Sequence, residues 1–173
     1  VNTVYQNGDV EVELTVNNIS TRSTNVTVNT SVNETGETSR LLSLSKSFRV
    51  AGGESKIRYR FHINNHKLWS PDAPNLYDVH LALTTAQKKT DYQTVSVGFK
   101  DLRVDNEGFF VLNGERIFVK CNHTTPYIMG SVDVGSDIAR QLHQLDYFKS
   151  AGFNMVRFLA GPALPEQLDY CDR

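Results

Sequence analysis

Cysteine is scarce in this chain of 173 residues: the two present, Cys121 and Cys171, fall in the last third, and residues 1–100 have none. No disulfide can therefore staple the first hundred residues internally. Neither cysteine sits in a CxxC or HxxxH spacing, so a zinc site is not expected. No cofactor is expected either, and both thiols are read as free and buried. Charge of one sign is missing too: 18 Lys and Arg face 19 Asp and Glu, for a net charge of −1, with no basic stripe. Nucleic acid is thus excluded as a partner, because phosphate recognition needs clustered cations. No apolar run approaches the ~20 residues of a membrane-crossing helix, so no membrane partner is expected. The chain opens on Val1, not Met, and shows no leader pattern. That reads as an internal start, which hides any targeting signal.

What is present is an ordinary globular composition, 39% hydrophobic and 21% charged, with room for one domain and part of another. Residues 1–99 read as all-β. Val10, Val12, Leu14 and Val16 alternate with Glu11, Glu13 and Thr15, which buries one face of a strand. Val26, Val28 and Thr30 repeat the pattern; Leu42, Leu44, Phe48 and Val50 do so less regularly. Ile57, Tyr59, Phe61 and Ile63 alternate with Arg58, Arg60 and His62. Val79, Leu81 and Leu83 follow, and Tyr92, Thr94, Val95 and Val97 come last. Turn signals separate these runs, among them Asn7-Gly8-Asp9, Gly36 and Gly52-Gly53. Six or seven short strands without helical periodicity predict an immunoglobulin-like β-sandwich over 1–99.

The segment Leu68-Trp69-Ser70-Pro71-Asp72-Ala73-Pro74-Asn75-Leu76-Tyr77 cannot be ladder strand, because its two prolines lack donors. It reads as a structured crossover with Trp69 capping the core. Sequons occur at Asn18, Asn25, Asn29, Asn33 and Asn122. They fit chance in a chain rich in Asn, Ser and Thr, or a solvated sandwich edge.

After Phe99 the pattern changes. Phe109 to Leu112 lead into Asn113-Gly114-Glu115-Arg116 and then Ile117-Phe118-Val119, a hairpin signal. Ser136 is a good N-cap for a helix in which Ile138, Leu142, Leu145 and Phe148 recur at helical spacing and which Gly152 stops. Phe153 to Leu159 form a compact apolar strand interrupted by Arg157, and Pro162 and Pro165 open the next helix. Strand, helix, strand, helix is how a parallel (β/α)8 barrel begins. The fold class is therefore mainly β: a sandwich over 1–99, followed over 100–173 by an incomplete (β/α) barrel start.

Four local motifs carry a family resemblance. Leu68-Trp69-Ser70-Pro71 with Pro74 and Leu76-Tyr77 resembles "LWSPxxPxLY". Val97-Gly98-Phe99-Lys100 resembles a "GFR" strand, and Phe110-Val111-Leu112-Asn113-Gly114-Glu115 resembles "FxLNGxP". Lys149-Ser150-Ala151-Gly152-Phe153-Asn154-Met155-Val156-Arg157, with Leu168-Asp169-Tyr170-Cys171-Asp172, resembles "KxxGxNxxR…LDxCD". In order and spacing the chain resembles the middle of a family 2 glycoside hydrolase, the group of β-galactosidases, β-glucuronidases and β-mannosidases. The resemblance implies a retaining glycosidase of β-linked sugars whose two catalytic glutamates lie on later barrel strands, beyond residue 173. The chain alone is then expected to be inactive, with no catalytic residue of its own.

Three residues are candidates for substrate contact. Arg157 matches the arginine after "GxNxx", and a charge inside an apolar strand requires a partner. Asn122 and His123 are expected to follow the first barrel strand and resemble the family's "Asn…His" loop; His123 could equally be a loop histidine bonded to backbone. The chain departs from the family after Arg157, where Phe158-Leu159-Ala160-Gly161-Pro162 replaces the usual Ser-His-Tyr-Pro, and Thr124-Thr125-Pro126 lacks an acid often found there. Two other readings stay open: a non-catalytic carbohydrate-associated binding or spacer module, and an inactive pseudo-enzyme. The expected partner is carbohydrate, in the full-length protein. The apolar faces of helix 137–150 and strand 153–159 predict self-association through the exposed barrel segment, or folding back onto the sandwich.

Overall fold

In the computed structural model of the chain, residues 1–87, 90–124, 138–159 and 161–173 are described. They form two compact units, Val1–Lys100 and Asp101–Arg173. The first is a sandwich built from β1 (Asn2–Val4), β2 (Asp9–Asn18), β3 (Thr24–Glu34), β4 (Arg40–Val50), β5 (Gly53–His62), β6 (Tyr77–Thr85) and β7 (Thr90–Val97). One sheet has the order β1-β2-β5 and the other β4-β3-β6-β7, with every pair antiparallel. In a constant-type immunoglobulin sandwich the fourth strand joins the sheet of the first, second and fifth. Here β4 pairs with β3 instead.

Alternation sets the core. Val10 and Val12 of β2 lie opposite Phe61 and Tyr59 of β5 and face Val26, Val28, Val32, Val79 and Leu81 of the other sheet. Across the two sheets Tyr59 of β5 meets Thr30 of β3, and their hydroxyls bond at 2.6 Å inside the core. A buried hydroxyl without a partner costs about 1–3 kcal/mol, so each satisfies the other. Beneath the proline segment, Phe99 is fully buried, edge-on to Tyr77 at 5.4 Å and against the His66 ring at 4.5 Å. Trp69 does sit over this end: its backbone N–H donates to Phe99 O at 2.9 Å, and Lys100 Nζ lies 4.0 Å from its ring centre. Gly98 permits this approach, because a Cβ there would stand 2.9 Å from Trp69 Cβ.

One strand phase differs from the sequence pattern. Tyr92 and Thr94 do not share the inward face with Val95 and Val97. Tyr92 pairs with Ala82 and Thr94 with His80, the outward positions of β6, and Tyr92 is 75% exposed. The outer face of the three-stranded sheet carries a cross-strand charge ladder: Glu11 with Arg60, Glu13 with Arg58 at 2.5 Å and Lys56 at 3.5 Å, and Asp9 with His62 at 3.0 Å.

The second unit opens with a meander of β8 (Leu102–Val104), β9 (Phe110–Leu112) and β10 (Glu115–Arg116). Asn113 and Gly114 take φ of 53° and 91°, as a two-residue primed turn requires. The return strand is shorter than the apolar run 117–119 suggests. Asn154 claims that backbone: its Nδ2 donates to Phe118 O at 3.0 Å and its Oδ1 accepts from Lys120 N at 2.8 Å. The segment therefore leads into β11 (Cys121–Thr124), which pairs in parallel with β12 (Met155–Phe158). Between them runs α1 (Ile138–Ser150), and α2 (Pro165–Cys171) follows. The Ser136 cap lies outside the described residues.

Helix α1 ends in a Schellman motif. Gly152, at φ 83°, donates to Lys149 O, and Phe153 N donates to Phe148 O, both at 3.0 Å; the two phenyl rings pack edge-on at 6.1 Å. Helix α2 begins with Pro165 after Leu164, whose N–H donates to Gln167 Oε1 at 2.9 Å. Gln167 Nε2 then donates to Gln141 Oε1 at 2.8 Å, a buried amide pair joining the two helices. Both cysteines are exposed, contrary to expectation: Cys121 lies on the uncovered face of β11, and Cys171 closes the last turn of α2.

Candidate functional site

The motif Gly152-Phe153-Asn154 builds a platform. Gly152 turns the chain out of α1, Asn154 clamps residues 118–120, and the backbone N–H groups of Asn154 and Met155 both donate to Lys120 O, at 3.0 and 3.2 Å. This fixes the β11–β12 register: Cys121 with Met155, Asn122 with Val156, His123 with Arg157, Thr124 with Phe158. Leu159 N donates to Thr124 O at 2.8 Å and carries the pairing past the strand ends.

Side chains paired in a parallel ladder point to the same side, and neighbours along a strand to opposite sides. Thr124 is buried and its hydroxyl donates to Gln144 Oε1 of α1 at 2.8 Å, so the even positions of both strands face the helix layer. Asn122 is therefore on the helix side. It does not follow the strand, as the sequence reading expected, but lies within it, and its Oδ1 accepts from His123 N at 2.8 Å. His123 also lies within β11. It shares the opposite, uncovered face with Arg157, its register partner, and both side chains are exposed. The structure thus brings His123 and Arg157 together and sets Asn122 apart.

Arg157 is not a buried charge in search of a counter-ion. Its strand has one covered face and one open face, and the guanidinium is on the open one. A planar fork of donors held in the open suits a carboxylate, in bidentate fashion. Cys121 and Met155 share that face, though neither was expected at the site; counting parity from Arg157 and His123 finds them. Among the described residues no group of three His, Cys, Asp or Glu side chains could hold a metal ion, and no helix is long and apolar enough to cross a membrane.

An antiparallel sandwich joined in one chain to a parallel β–α–β–α segment defines a modular protein, not a single-core domain. Sequence comparison says which kind. Residues 1–100 match the family described as "Glycosyl hydrolases family 2". The "Beta-galactosidase BoGH2A" of Bacteroides ovatus is 29% identical over 161 residues, covering 92% of this chain and 19% of that protein. A Formosa agariphila protein named "Putative beta-glucuronidase" is 32% identical over 131 residues, covering 75% of this chain and 15% of its own. The chain belongs to the glycosyl hydrolases family 2. The crystal structure of a family 2 member from Bacteroides cellulosilyticus superposes with a TM-score of 0.84 at 23% identity, over 99% of this chain and 22% of that one. The Bacteroides uniformis β-glucuronidase does so with a TM-score of 0.78 at 19% identity, over 99% and 21%; at these identities the likeness is of fold. The chain thus spans less than a fifth of the length of the two curated relatives named here.

Proposed function

We propose that this chain is the sandwich and the first part of the catalytic barrel of a retaining glycoside hydrolase acting on β-linked sugars. Residues 1–99 are its immunoglobulin-like module and 100–173 the opening β–α units of a (β/α)8 barrel. The observation that supports this best is the parallel β11–β12 pair, with α1 between and α2 after. Such barrels place their sites at the C-terminal ends of the strands, and His123 and Arg157 sit side by side near those ends. In the assembled enzyme Arg157 orients a carboxylate, either the nucleophile's or a sugar's own, and His123 bonds a sugar hydroxyl. Asn122, on the helix side, acts by holding the strand and the His123 backbone.

Retaining hydrolysis needs two carboxyl groups about 5–5.5 Å apart, one protonated and one ionised. No acid among the described residues lies on the His123–Arg157 face, so both are assigned to the later barrel, and this chain alone is inactive. The deciding experiment is performed on the enzyme extended beyond Arg173. Arg157→Ala is expected to lower kcat/KM on nitrophenyl β-glycosides about a hundredfold or more, as loss of one charge-stabilising donor does, with Asn122→Ala milder. Unchanged kinetics for Arg157→Ala would sink the assignment, as would steady turnover by residues 1–173 alone.

The uncovered face of β11 and β12 also leads the isolated chain to self-associate. Sedimentation should show a dimer that His123→Glu with Met155→Glu disrupts; a monomer at all concentrations would oppose it.

A further inference from the structure

The outward face of the four-stranded sheet is not flat. A groove of about 720 Å³ runs across it, lined among others by Asn29, Asn33, Arg40, His80, Tyr92 and Thr94. That volume is within the usual range for small-molecule sites, about 300–1,000 Å³.

The polar groups in the groove are fixed by a chain of bonds whose sense can be worked out. Asn33 Nδ2 donates to Glu34 O and Glu37 O, both at 3.0 Å, which sets its amide so that Oδ1 is the acceptor. His80 Nε2, 2.7 Å from that oxygen, must then carry the proton. In the neutral imidazole Nδ1 is left as an acceptor, and it takes the Thr94 hydroxyl at 2.9 Å. Thr94 Oγ1 is thereby oriented with its lone pairs toward the groove. Two residues along the same strand face stands Tyr92, 75% exposed, and its phenol meets no hydrogen-bond partner among the described residues. Across the groove the Arg40 guanidinium has neither a hydrogen bond nor an ion pair with a described residue. Asp78 is already engaged by Thr35 Oγ1 at 2.8 Å and by Ser96.

The combination is an open aromatic face, an acceptor oriented by a three-residue relay, and a free cationic donor, with an acid, Glu37, nearby to balance the charge. A neutral pyranose chain offers the complement: a face of C–H groups that packs on an aromatic ring, and an edge of hydroxyls that both donate and accept. Anions fit less well beside Glu37 and Asp78, and an apolar ligand would leave the relay unpaired. We propose that this groove is a carbohydrate-binding surface for a neutral oligosaccharide, centred on Tyr92 and Thr94, on the sandwich and not on the β–α segment. The family membership suggests the ligand class; the site itself lies outside the catalytic reading, which turnover by the longer enzyme decides separately.

The test uses the 173-residue chain, labelled with 15N and titrated with a β-1,4-linked glucotetraose and, separately, a β-1,4-linked galactotetraose. Saturable shifts at Tyr92, Thr94 and His80, including the imidazole nitrogens, are expected from at least one. Tyr92→Ala is expected to weaken that binding about tenfold, and Tyr92→Phe to keep it within about threefold, because the ring and not the hydroxyl supplies the surface. Tyr92 is exposed, so an unchanged unfolding midpoint should confirm that Tyr92→Ala folds. Three results would overturn the proposal: no shifts at these residues with either sugar at millimolar concentration, equal affinity for Tyr92→Ala, or the same shifts produced by raising protein concentration without sugar, which would assign the face to self-contact.

Discussion

The two units solve the same problem differently. The sandwich buries a continuous cluster running from Val10 to Phe99, drawn from both sheets. Among its described residues the second unit buries only Val111, Leu112, Leu145 and Phe148 of its apolar side chains, while Leu102, Val104, Phe109 and Phe118 stay exposed. Antiparallel strands joined by short turns close their own ladder, and two facing sheets close the core. A parallel strand buries both faces only when further layers, helices or the interior of a closed barrel, cover them. The β11–β12 pair has its helix layer on one face, while Cys121, His123 and Arg157 are exposed on the other. Sandwich stability is therefore carried within Val1–Lys100, whereas the second unit leaves several large apolar side chains exposed among the described residues.

The severest way to break this contrast is at Phe99. Its ring is fully buried, and both Tyr77 and His66 pack on it. Phe99→Ala is expected to cost the sandwich about 3–5 kcal/mol, read from urea unfolding followed by hydrogen exchange at Val28 and Val79. A loss under 1 kcal/mol would mean that the core does not depend on this end of the sandwich.

Next in size is the hydrogen bond across the core. Tyr59→Phe leaves the Thr30 hydroxyl buried and alone, for about 1–3 kcal/mol, and adding Thr30→Val should recover most of that. Burial raises the Tyr59 phenol above its ordinary value, against a smaller lowering by its bond to Thr30. The folded state thus holds the proton more tightly than the unfolded chain. The contribution is intact below about pH 10 and is lost as pH climbs from there through the raised folded value. Tyr59→Phe should flatten that alkaline loss. An unchanged alkaline slope would place the titrating group elsewhere.

A smaller effect belongs to the second unit. Gly152 adopts φ 83° and a Cβ there would meet only Lys120 Nζ at 3.7 Å, so space is not the obstacle. Gly152→Ala should cost about 1–2 kcal/mol through backbone strain alone, felt as faster exchange at the end of α1 and no change in the sandwich. Equal destabilisation of both units would contradict the division drawn here.

Residues explain how much of this the sequence disclosed. Val10, Val12, Ile57, Tyr59 and Phe61 alternate cleanly because their chain neighbours, among them Glu11, Glu13, Arg58 and Arg60, face water, so β2 and β5 were legible. Gly152 was legible as a helix stop for the same local reason. Tyr92 was not: a large aromatic on an edge strand looks like core until the pairing with Ala82 shows its phase. Asn122 and His123 were named as a pair, yet in a run of polar residues nothing local says which faces a helix; only the Thr124–Gln144 bond fixes it. The Asn33–His80–Thr94 relay spans three strands and leaves no motif at all. Long-range register carries such information, and short-range pattern does not.

The smallest expected effect lies on the outer face of the three-stranded sheet, where the rungs are most regular. Register pairs Glu11 with Arg60 and Glu13 with Arg58 directly across the ladder, and cross-strand opposite charges favour that pairing. All these side chains are in water, so solvent screens them and each pair contributes little. The Arg58 hydrogen bond and charge, helped by Lys56, hold the Glu13 carboxyl below its ordinary value. The folded state therefore binds that proton less readily than the unfolded chain, so the contribution is present above about pH 4.5 and fades as pH falls through the lowered folded value. Glu13→Gln should shift the unfolding midpoint slightly at neutral pH and low salt. The difference from the parent should vanish in about 1 M salt, where charges are screened within about 3 Å, and again at low pH. A large, salt-insensitive loss would show that the ladder sets the β2–β5 register, a task otherwise left to the buried face behind it.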